Sequence, residues 1–95
     1  MQNETQIYIF PEKFAFDEDT SLKVFLREHK GSSVEINAQN LRKIDSLLLQ
    51  YLIAAARVWL ANGQSFALTH VPGAMGNDLT LLGIDTQTLS WKVAA

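Results

Sequence analysis

The stretch that most constrains this chain runs from Ser46 to Asn62, a long apolar segment interrupted by Gln50 and Arg57 and closed by Gly63. As a helix it is about 25 Å long, short of a membrane span, and it carries two polar interruptions. At about 100° per residue, Leu49, Leu52, Ile53, Ala56 and Leu60 fall on one stripe, the predicted core face. Ser46, Gln50 and Arg57 make a narrow polar edge. The opposite side carries Leu47, Tyr51, Ala54 and Val58, with Leu48, Ala55 and Trp59 between. A surface helix is polar there, so this side is expected to meet another protein or a second copy of the chain. Leu47, Tyr51 and Val58 are the interface candidates.

Shorter elements flank this helix. Gln6 to Phe10 is a β-branched and aromatic run stopped by Pro11, and Ser33 to Ala38 alternates Val34, Ile36 and Ala38 with polar residues. Both read as strands, as does Ser65 to Thr69, ended by His70, Val71 and Pro72. Lys13 to Phe16 is either a second short strand or the return of the first. Leu22, Phe25, Leu26 and His29 are spaced for a helix from about Thr20 to Lys30, after the acids and hydroxyls of Asp17 to Ser21 and before Gly31. Ala74 to Leu82 is a weaker helix stopped by Gly83, and Leu89 to Val93 is a last strand or a packed tail. Strands separated by helices predict an α/β domain. Its small, mostly parallel (mixed) sheet has about four strands, with helices mainly on one face.

With 95 residues there is room for one domain, residues 1–95. The N-terminus lacks a basic and then apolar leader, so a cytoplasmic location is the expectation. The net charge is −2, and seven of the eight Lys and Arg lie at or before Arg57, interleaved with acids. Phosphate backbones are bound by clustered cations, so this pattern argues against nucleic acid.

Signatures of an enzyme are absent. No Cys is present and only His29 and His70 remain as nitrogen ligands, so neither a metal site nor a cofactor is expected. Phosphate-loop and nucleophile-elbow motifs are missing, and no catalytic residue is assigned.

Asp45 and Ser46 open the long helix. Either side chain can cap its free N–H groups. A phosphoryl group on Ser46 would also be stabilised there by those donors and the helix dipole.

These residues together resemble the STAS domain. The likeness runs from Val34-Glu35-Ile36-Asn37-Ala38 through Ile44-Asp45-Ser46 and Phe66-Ala67-Leu68 to Leu79-Thr80-Leu81-Leu82-Gly83-Ile84-Asp85. The domain occurs in bacterial anti-sigma-factor antagonists, in sulfate-transporter tails and in a small subunit of a lipid-transport assembly. Short stand-alone members are associated with chemotaxis-type signalling. The resemblance implies a regulatory interaction module, with Ser46 as phosphoacceptor and Asp45, Asn37, Leu48 and His70 around it. The implied partner is a kinase-fold anti-sigma or histidine-kinase-like protein. The alternative is a constitutive subunit of a transporter-type assembly that is not phosphorylated. The family motif continues with a small residue and then Gly; here those positions hold Leu47 and Leu48, and Asn37 replaces the usual strand-end Asp. Leu48 is expected to add bulk where a kinase-type partner approaches. The loop from His70 to Ala74 is expected beside Ser46, because neighbouring parallel strands end on the same side of a sheet.

Overall fold

The computed structural model describes residues 5–42, 44–84 and 89–93. Met1 to Glu4, where a leader was sought, and Asp85, which closes the family-like run, lie outside the described residues. The elements alternate along the chain as β1 (Gln6–Ile9), α1 (Ser21–Glu28), β2 (Val34–Asn37), α2 (Ser46–Ala61), β3 (Phe66–Val71), α3 (Gly73–Leu81) and β4 (Ser90–Val93).

The strands form one sheet in the order β1-β2-β3-β4, and every described pair is parallel. Each helix therefore returns the chain to the edge from which it left, as parallel crossovers require. No antiparallel strand joins the sheet among the described residues. Lys13 to Phe16 is instead the return of the first strand, closed by turn bonds from Glu18 and Asp19 N–H to the Ala15 carbonyl. Leu89 to Val93 supplies a true fourth strand.

One sheet face makes the core. Tyr8, Val34, Ile36, Phe66, Leu68 and Val71 point into it and meet Leu22 and Leu26 of α1, Leu49 and Leu52 of α2, and Met75 and Leu79 of α3. The other face carries Ile7 and Ile9, about half exposed, with Glu35 and Thr69 beside them.

Helix α2 is rolled about its axis relative to the predicted stripe. Its buried residues are Leu48, Leu49, Leu52, Ala56 and Trp59, while Leu60 is 58% exposed and Ile53 half-buried. The Trp59 indole causes the roll. It packs edge-on to Phe66 at 5.8 Å and donates its Nε1–H to the Ser32 carbonyl at 2.7 Å. An indole buries far more area than a leucine and needs a partner for its N–H. Gly63, at φ 74°, then ends the helix in the left-handed region.

Helix α1 is shorter than the periodicity implied and ends at Glu28, so Arg27 is the only basic residue in its last turn. The acids 17–19 precede it, and Asp19 accepts from the Ser21 N–H at 2.9 Å.

Candidate functional site

The entry of α2 is built around Asp45. Its backbone is extended (φ −86°, ψ 167°), and its side chain accepts from the Leu48 N–H at 2.8 Å while its carbonyl accepts from the Leu49 N–H. This is an N-cap, and it satisfies one of the donors that a helix start leaves free. Ser46 follows as the first helical residue, with its side chain exposed.

Leu48 does not crowd this entry. It is 2% exposed and points into the core, while its N–H serves the Asp45 cap. The expected bulk comes instead from Leu47, which is 63% exposed. The backbone direction explains the difference: adjacent helical residues diverge by about 100°, so one leucine faces the sheet and its neighbour faces out.

Ser46 stands on the rim of a hollow of about 290 Å³ between the α2 entry and the end of α3. Its apolar lining comes from Ile44, Leu49 and Ile53 on one side and from Leu82 and Ile84 on the other. Leu82 and Ile84 escaped the sequence reading as site residues. The leucine-rich run Leu79 to Ile84, broken only by Thr80 and Gly83, is the signal that marks them, since it leaves Leu81 and Leu82 85% and 63% exposed.

Asn37 and His70 have other roles. Asn37 is buried, and its side-chain oxygen accepts from the Gln39 N–H at 2.9 Å, shaping the turn after β2. The polar contacts of His70 are with Thr69 and Glu35. It sits at a bulge where β3 slips against β4, at φ 54°, and its Nδ1 lies 3.1 Å from the Thr69 hydroxyl and 3.9 Å from a Glu35 carboxylate oxygen. Thr69 donates to that same carboxylate at 2.8 Å. This cluster occupies the sheet face opposite α2. The extra residue of the bulge re-aims the side chain, which an ideal strand would not do.

The three interface candidates divide. Leu47 and Val58 are exposed, Val58 by 50%. Tyr51 is half-buried against Phe16, with ring centroids 5.2 Å apart. Burial pushes the Tyr51 phenol above its ordinary value, and the Arg27 charge pulls it partly back. A glutamate at 51 would therefore disturb packing, whereas position 58 is open to substitution.

Among the described residues no cluster of His, Asp and Glu has the arrangement of a metal site, and no helix is long and apolar enough to cross a membrane. The family model described as "Mlab, STAS domain" matches residues 15–92, most of the chain. The chain belongs to the STAS-domain family. STAS domains are in general non-enzymatic regulatory modules, with anti-sigma-antagonist-like or transporter-associated roles. The matched span takes in α1 as well as the run from Val34 to Asp85. Comparisons with curated proteins and with solved structures returned no match.

Proposed function

We propose that this STAS domain is a non-enzymatic protein-interaction module of bacterial signalling, docking its partner at the α2 entry and switched by phosphorylation of Ser46. The observation that carries this reading is the position of Ser46. It is exposed, one residue past the Asp45 cap, on the rim of an apolar hollow. A phosphoryl group added there meets the positive end of α2, so the fold tolerates it. A partner seated on Leu47 and the Leu82 hollow would meet a new dianion at the centre of its contact. The partner class this suits is a kinase-fold anti-sigma or histidine-kinase-like protein.

A second reading is a constitutive subunit of a transporter-type assembly. The exposed Leu47, Leu81 and Leu82 favour it, because apolar residues around a site suit a permanent contact.

Capture of the partner from native lysate, with mass measurement of the recovered chain, separates the two. The signalling reading expects a fraction of the free chain to carry an addition of about 80 Da, absent from the partner-bound chain. A partner retained at high salt, with no modified chain in any fraction, supports the permanent subunit and contradicts the switch.

A further inference from the structure

A second surface of α2, away from Ser46, carries a charge pattern of its own. The groove between α1 and α2 is lined by Tyr51, Ala54 and Val58 on the α2 side and by Lys23, Arg27 and Lys30 on the α1 side. Lys23 and Arg27 stand one turn apart on α1, Lys30 follows just past its end, and all three line the groove. The alanines leave a hollow of about 550 Å³, which continues past Val58 to Asn62 and Gln64. From Tyr51 to Asn62 the helix rises about 16 Å, or three turns.

No carboxylate lines the groove, and none of the three cations forms an ion pair among the described residues. The Lys23 ammonium lies 4.2 Å over the Phe16 ring, which fixes it at the groove's end. This basic strip stands on a chain whose net charge is −2.

We propose that the α1–α2 groove docks an acidic amphipathic helix of a partner protein. The helix lays an apolar stripe on Ala54 and Val58 and aligns carboxylates with Lys23, Arg27 and Lys30. Helix-in-groove recognition uses such anchors, and opposed charges fix the register and orientation. A second copy of the chain does not fit: α1 carries only Glu28 as an acid, α2 none and α3 only Asp78. This inference rests on the interaction-module reading but not on the chemistry of Ser46.

The test is selection from a phage-displayed library of helical peptides against the intact protein, followed by binding and amide-shift mapping with the selected peptides. The expected peptides carry Asp or Glu along one edge of an apolar stripe, and their shifts fall on 23–30 and 51–62. The double variant Arg27→Gln, Lys30→Gln is expected to lose about tenfold or more in affinity while staying folded by circular dichroism, since both residues are exposed. Three results each overturn the inference: no acidic enrichment, undiminished binding by the double variant, or tighter binding to phosphatidylglycerol vesicles than to the selected peptides. Ser46→Asp, run in parallel against the natural partner, keeps the two claims apart. Peptide capture in the groove with an indifferent Ser46→Asp removes only the switch, and a working switch with no groove binding removes only this inference.

Discussion

Leu48 decides how the α2 entry presents itself. Its side chain is core and its N–H is the ligand of the Asp45 cap, so the approach to Ser46 is shaped by Leu47 instead. Leu48→Ala is expected to cost about 2–5 kcal/mol in chemical denaturation, and Leu47→Ala less than about 0.5 kcal/mol. Asp45→Ala is expected to remove about 1 kcal/mol. The cap was legible in the sequence because it involves residues three apart on one short segment. The fate of Leu48 was not, because which of two adjacent leucines turns inward depends on how the whole helix is rolled. The left-handed bulge at His70 was equally hidden, since nothing in the run from Phe66 to Val71 marks one residue as extra.

At the scale of elements, Trp59 sets the roll of α2. Its indole reaches both Phe66 and the Ser32 carbonyl, and this contact displaces Leu60 from the stripe that periodicity assigns it. Trp59→Ala is expected to destabilise the fold by about 3–5 kcal/mol, whereas Leu60→Ser stays within about 0.5 kcal/mol, both read from urea midpoints. The order and type of the elements were legible because each strand and helix has its own period and its own stop, such as Gly63 or Pro11. Their mutual packing was not. The basic stripe Lys23, Arg27, Lys30 shows the same limit. Its spacing is visible in the chain, but the groove it faces exists only once α1 and α2 lie side by side.

At the scale of the molecule, one core on one sheet face holds three helices, and among the described residues no helix covers the opposite face. Parallel sheets are usually covered on both sides, so the half-exposed face of Ile7 and Ile9 is unusual for this topology. Titration of the core edges gives a whole-molecule signature. Burial raises the Tyr8 phenol above 10, opposed by its hydrogen bond with Ser21, and burial likewise raises Tyr51. A group raised in the fold contributes stability that is fully present below its unfolded value and is lost as the pH climbs through the folded one. Unfolding free energy is therefore expected to hold steady up to about pH 10 and to fall above it. Tyr8→Phe with Tyr51→Phe should flatten that alkaline decline.

In the proposed switch, negative charge at the α2 entry controls docking. The direct measurement is calorimetric affinity of the captured partner for wild type, Ser46→Ala and Ser46→Asp, each first shown to be folded. The Ala variant is expected to lose none of its affinity and the Asp variant about tenfold, because a carboxylate stands where the partner meets a neutral hydroxyl. Equal affinities for wild type and Ser46→Asp would contradict the switch.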